Sequence, residues 1–300
     1  MDMTPATPAG RKPASSAPPR RPRLSRLCRR GAGASIWAAV PATAFIAVLF
    51  LLPLAILFVQ GFQDGTLDAY RKALTDGLYV GVLADTLLVA AYVSLICLLI
   101  GYPVAYFLAT AGGYWPTIGL IFLLLPFWTS VLVRTYGWMV ILGRNGIVNR
   151  LLLDTGVIAS PIIMINNLMG VLIGMVHVLL PYMVFPLYAV MRRVDPNLLA
   201  AAEGLGASRW ETFRRVYFPL TLPGVLAGAT LVYVLSVGFY ITPALLGGGK
   251  VPMTALLIEK QVSQFLDWGF ASALSVVLLA ATLVVYLILR IVLRGNMQWN

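Results

Sequence analysis

VGVLADTLLVAAYVSLICLLIGYPVAYFLA, residues 80–109, contains one charged side chain, Asp85. A spanning helix needs roughly 20 mostly apolar residues at about 1.5 Å of rise each. This run is longer, so it predicts a membrane span with a tilt or an interfacial end. Five more runs of the same kind lie at Ile36–Val59, Thr117–Leu142, Leu168–Val190, Leu222–Leu246 and Ala271–Val292. Pro53, Pro103, Pro126 and Pro181 fall inside these runs and predict kinks, which membrane helices tolerate when neighbouring groups satisfy the freed carbonyls. The composition agrees: 60% of the 300 residues are hydrophobic and 11% are charged, against about 25% charged in a soluble domain. The expected fold is an all-α integral membrane protein with six transmembrane helices.

The net charge of +11 is concentrated at one end, with eight of the 22 basic residues in the first 30 positions among Pro, Ala and Ser. That composition predicts a disordered basic cytosolic tail over residues 1–33, followed by a transmembrane domain over residues 34–300. The tail reads as an orientation signal, and no nucleic-acid partner is expected. The first apolar run is longer than the core of a secretory signal and follows a long polar stretch, so a cleaved signal is not expected. With the N-terminus inside, fifteen Lys and Arg residues flank the inner ends of the spans and six flank the outer ends. This asymmetry predicts N-in, C-in topology, with Trp37, Trp115, Trp138 and Trp268 near the interfaces. Cys28 and Cys97 form no disulfide or metal spacing. The outer loops 61–79, 143–167 and 247–270 are long enough for short re-entrant or surface helices.

The inner loop 191–221, between the fourth and fifth spans, carries the densest local signals. In RRVDPNLLAAAEGLGASRWETFRRVYFPLTLPG (192–224), Asp195 is a good N-cap with Pro196 at the first helical position. An Ala- and Leu-rich helix follows, and Gly206 is suited to end it in the left-handed conformation. Ser208 and Glu211 form a capping box for a second helix, on which Trp210, Phe213 and Tyr217 share a face. Pro219 and Pro223 are expected to close the segment before the fifth span. A row of alanines lets a helix seat closely in a groove of another protein, although the same residues also suit a loop that simply joins two spans.

This segment resembles the coupling-loop signature of binding-protein-dependent importer permeases, Glu-Ala-Ala-x3-Gly-x9-Ile-x-Leu-Pro. In register, Ala201, Ala202, Gly206 and Pro219 match, and Val216 and Phe218 replace Ile and Leu. Ala200 replaces the leading Glu, with Glu203 one turn on. The strings GYPVAYFLA (101–109), PFWTSVLVRTYGW (126–138) and LGRNGIVN (142–149) are similar to the first permease subunit of spermidine/putrescine-type systems. The resemblance implies a permease of the bacterial inner membrane that forms the path for a small, polyamine-type solute. It also implies two ATPase subunits, a second permease subunit that is a different, related chain, a periplasmic solute-binding protein and membrane lipid as partners. The ATPase-coupling residues it implies are Ala200, Ala201, Ala202, Glu203, Gly206, Ser208 and Pro219.

Polar and aromatic groups in the spans are candidates for the substrate path. Asp85 stands where it would attract a cation or serve as a solvated cap. His177, the single histidine, suits either packing or a ligand role. Trp128, Tyr136, Tyr182 and Tyr240 offer faces to an amine or pack the bundle. Glu259 lies in an outer loop, where a binding protein would meet it. No phosphate loop, metal-ligand spacing or catalytic set is present, so ATP hydrolysis is expected in a separate subunit and no cofactor or metal is expected. The rival readings are an ion-gradient-driven secondary transporter, which would show matched inverted halves, and a membrane-embedded enzyme, which would need convergent polar groups in the spans.

Overall fold

The computed structural model describes residues 27–62 and 67–297. The expected tail lies outside them, except that residues 27–33 already belong to helix α1 (Leu27–Gln60). The chain divides into two compact units, Met1–Leu54 and Ala55–Asn300. Between Thr43 and Gln60, α1 is apolar all round and no side chain is buried. All regular structure among the described residues is helical.

After the end of α1, the second unit continues with a short helix, α2 (Asp68–Thr75), and then α3 (Gly77–Thr110). The Asp76 carboxylate accepts from the Leu78 N–H at 2.9 Å and starts α3, which runs through Pro103 for 34 residues. Helix α4 (Trp115–Leu124) passes into a 3-10 turn, Leu125–Trp128, and is followed by α5 (Val131–Leu142) and α6 (Ile147–Asp154). Then come α7 (Leu168–Met191), α8 (Pro196–Gly204), α9 (Arg209–Thr212) and a π-helical turn, Phe213–Tyr217. Helix α10 (Phe218–Val237) continues that turn. The chain ends with α11 (Ile241–Leu246), α12 (Thr254–Lys260) and α13 (Trp268–Met297).

Helix α7 is the centre of the bundle. Its buried Met175, Leu179, Met183, Val184 and Leu187 pack with Val89, Val93, Cys97 and Ala105 of α3 and with Val225 and Val232 of α10. Close approach is set by small residues, as in membrane bundles generally. A Cβ on Gly101 would stand 2.9 Å from the Met183 side chain, and one on Gly228 would stand 3.0 Å from the Met183 carbonyl oxygen. Met183 is therefore held between a glycine of α3 and a glycine of α10.

Two expected spans are corrected by the structure. The third, Thr117–Leu142, is two pieces that bend by 102° after Trp128. Pro126 lies in the 3-10 turn before the bend, and its carbonyl accepts from both the N–H and the hydroxyl of Thr129, at 3.2 and 3.0 Å. Thr129 thus covers one of the carbonyls that the helix end leaves without an intrahelical partner. The fifth, Leu222–Leu246, ends at Val237 and resumes as α11. Gly238 weakens the helix there, and Pro243 has no N–H to give the Phe239 carbonyl. At its other end this helix does not start after Pro219 and Pro223. It runs on from Arg209 through the π turn into α10, so Pro219 and Pro223 lie within one helical run, Pro219 just after the turn's wider bond from the Phe218 N–H to the Phe213 carbonyl. Among the described residues, five helices are long and apolar enough to cross a membrane, or six if the bent pair counts as one span. The loops expected to face outward, 61–79, 143–167 and 247–270, contain α2, α6 and α12 respectively.

Replacing Gly228 by leucine is expected to lower the melting temperature of the detergent-solubilised protein, corresponding to about 1–3 kcal/mol of overpacking. Gly112→Ala, where a Cβ meets nothing within 4 Å, should leave it unchanged. Fluorescence-monitored thermal unfolding of both variants makes the comparison.

Candidate functional site

The segment between α7 and α10 is a capped helical elbow. The Asp195 carboxylate accepts from the Asn197 N–H at 2.9 Å, which opens α8 with Pro196 in its first turn. At the other end the Gly206 N–H donates to the Glu203 carbonyl at 3.0 Å and the Ala207 N–H to the Ala202 carbonyl at 3.1 Å. This paired closure requires a left-handed residue, and Gly206 supplies it with φ +91°. Ser208 then begins α9: its N–H and hydroxyl both donate to Glu211 Oε2 at 3.0 Å, and its Oγ accepts from the Glu211 N–H at 3.3 Å. The sequence signals for two short helices and their caps are all present in the geometry.

No residue of α8 is buried. Leu198, Ala201 and Leu205 lie at i, i+3 and i+7 and form an exposed apolar stripe, with Leu205 90% exposed at its tip. Ala200 and Glu203 are also exposed, and Ala202 is half-buried. Hollows flank the helix: one of about 340 Å³ is lined by Ala202, Gly206, Glu211 and Arg215 among others. Another of about 300 Å³ lies between Tyr106 of α3 and Leu199, Glu203, Arg209 and Phe213.

The substrate-path candidates do not converge on one site. His177 packs edge-on against Trp138 with centroids 5.4 Å apart, and its Nδ1 is buried without a partner. Tyr182 lies 5.2 Å from Phe127, and both line a cavity of about 110 Å³ with Arg134, whose Nε is also buried without a partner. Trp128 and Tyr136 are exposed, Trp128 almost fully. Tyr240 is partly exposed at the start of α11. Asp85 is exposed on α3 next to buried Thr86, which accepts from the Thr254 N–H at 2.8 Å and ties α3 to α12. Glu259, half-buried, follows on α12. Among the described residues no group of three or more His, Cys, Asp or Glu side chains stands together as a metal site.

Residues 32–296 match the family described as binding-protein-dependent transport system inner membrane component. The chain belongs to that family. It is 38% identical over 253 residues to the spermidine/putrescine transport system permease protein PotB of Haemophilus influenzae, covering 81% of this chain and 87% of that protein. It is 40% identical over 235 residues to PotB of Escherichia coli K12, covering 78% of this chain and 84% of that protein. In fold it is similar to a chain of a bacterial alginate ABC transporter, crystallised with an alginate pentasaccharide-bound periplasmic protein. The TM-score is 0.68 at 17% identity, over 92% of this chain and 98% of that one.

Several contacts in this transport permease were not marked in advance by the sequence. Thr135 of α5 and Thr242 of α11 share a hydrogen bond of 3.2 Å between buried hydroxyls. Buried Asn149 donates to the carbonyls of Gly143 and Ile162 at 3.1 and 3.0 Å and accepts from the Ile162 N–H at 2.9 Å, fixing the loop around α6. Isolated Thr and Asn residues in loops and helices give no periodic signal, and only the fold pairs them.

Ser208→Ala is expected to destabilise the elbow by about 1 kcal/mol through loss of the cap, and Gly206→Ala by about 1–2 kcal/mol through the left-handed backbone. Hydrogen exchange of the amides of residues 205–212 should accelerate in both variants, with the amides of α7 unchanged.

Proposed function

We propose that this chain is one permease of an ATP-driven polyamine importer in the bacterial inner membrane, with six spans, both termini inside and the α8–α9 elbow as the ATPase-docking element. The observation that carries the reading is the elbow itself. It is a solvent-exposed Ala- and Leu-lined helix, closed at both ends by side-chain or glycine caps, in register with the importer signature. An exposed apolar stripe is costly in water and gains when a partner covers it. The excess of basic residues at the inner ends supports the orientation. The relatives named for spermidine and putrescine support the substrate class.

In this reading two ATPase subunits dock one elbow each on this chain and on a second, related permease. A periplasmic binding protein delivers the solute to the outer loops. Closure of the ATPase pair biases the bundle between outward- and inward-open states, which requires that ATP and solute each prefer one of them. Ala200, Ala201, Ala202, Glu203, Gly206 and Ser208 shape the docking element, and Pro219 marks its entry into α10. Asp85, Trp128, Tyr136, His177, Tyr182, Tyr240 and Glu259 are proposed to line or guard the path, where aromatic faces and carboxylates suit ammonium groups.

Gly206→Pro, which proline's fixed φ cannot accommodate, and Ala202→Arg are each expected to abolish uptake of labelled putrescine and spermidine at a normal membrane level of the chain. Co-purification of the ATPase subunits should fall with it. Normal uptake by both variants would remove the docking assignment. Unchanged polyamine uptake in a strain lacking this chain and any redundant system would remove the substrate class.

A further inference from the structure

The elbow touches the bundle through one ring more than any other. Phe213, the first residue of the π turn, stacks on Trp210 of α9 at 5.7 Å and on Tyr217 at 5.9 Å. It stands perpendicular to two rings of α3, Tyr102 at 6.2 Å and Tyr106 at 6.1 Å. Tyr106 is also perpendicular to Tyr217 at 5.3 Å, and the Tyr102 hydroxyl shares a 3.1 Å hydrogen bond with Thr221 of α10. Edge-to-face and offset ring pairs have directional minima, so they resist sliding more than aliphatic contacts do.

Helix α8, by contrast, has little direct purchase on the bundle. Leu199 packs against the core, and the hollow of about 300 Å³ separates the rest of that flank from Tyr106 and Tyr217. The turn between elbow and span is also in an unusual state. A π turn is a rare insertion in an α-helix and tends to occur where function needs it. Two hydroxyls at its ends, Thr212 Oγ1 just before it and Tyr217 OH on its last residue, are buried without hydrogen-bond partners. Unsatisfied buried groups raise the free energy of the arrangement that holds them and favour another in which they are paired. Conversion of the π turn to an α turn would shift the elbow by one residue against α10, about 100° of rotation and 1.5 Å of rise.

We propose that Phe213 is the transmission residue of this permease. Clamped between Tyr102 and Tyr106, it passes displacement of the α8–α9 elbow into α3 and, through Tyr102 and Thr221, into α10. The π turn Phe213–Tyr217 is the element that changes register. The inference rests on the elbow being the ATPase-docking element, and it adds the path by which docking reaches the bundle.

The test uses the complete transporter with its binding protein in proteoliposomes. In Phe213→Ala the ATPase subunits should still co-purify and basal ATP hydrolysis should persist, while polyamine uptake per ATP hydrolysed falls about tenfold or more. Phe213→Tyr should restore the ratio. From the α3 side, Tyr106→Leu should reproduce the uncoupling and Tyr106→Phe should not, which keeps the test decisive if Phe213→Ala is unstable. An unchanged ratio in both Phe213→Ala and Tyr106→Leu would overturn the transmission role, as would loss of ATPase binding in Phe213→Ala. Failure of the docking reading is seen separately, as normal uptake and ATPase binding in Gly206→Pro and Ala202→Arg.

Discussion

In hydrocarbon there is no water to satisfy a backbone N–H or C=O, and each one left unpaired costs several kcal/mol. That constraint makes the chain helical, and it also governs where the helices are allowed to stop. Three interruptions show a partner for a carbonyl freed there. Thr129 covers the Pro126 carbonyl at the bend between α4 and α5. The Asn166 N–H donates to the Leu246 carbonyl at 2.7 Å where α11 ends, and Asn149 holds the loop that follows α5.

With every helix internally bonded, apolar burial gives little drive for association within a membrane, and fit takes over. The packing of α3, α7 and α10 shows this in the glycines against Met183 and in the hydroxyl pair Tyr102–Thr221, and α5 meets α11 through the buried pair Thr135–Thr242. Helix α7 is buried along half its length, and the other spans have apolar faces exposed. A single permease chain therefore presents much of its surface to lipid or to other subunits.

The elbow, proposed to work outside that medium, is held by different means. Helix α8 is too short to persist on propensity alone, so local caps hold the elbow: Asp195, Gly206 and the Ser208–Glu211 box. What orients the capped unit against the spans is not local. It is the cluster of rings around Phe213, drawn from helices more than a hundred residues apart in sequence.

The sequence by itself determined the medium, the helical class, the places of the apolar runs and the caps of the elbow, because hydropathy and capping act over a few neighbouring residues. It also placed the signature residues that mark the family. Only the tertiary structure decided that the third run folds back by 102°, that the fifth stops at Val237, and that α10 continues through Pro219 into a π turn. The candidate path residues Asp85, Trp128, Tyr136, His177, Tyr182, Tyr240 and Glu259 were legible as individual polar or aromatic groups, but their scatter over different helices was not. Tertiary packing decides these features because a break or a ring contact depends on partners distant in sequence, and no window along the chain contains them.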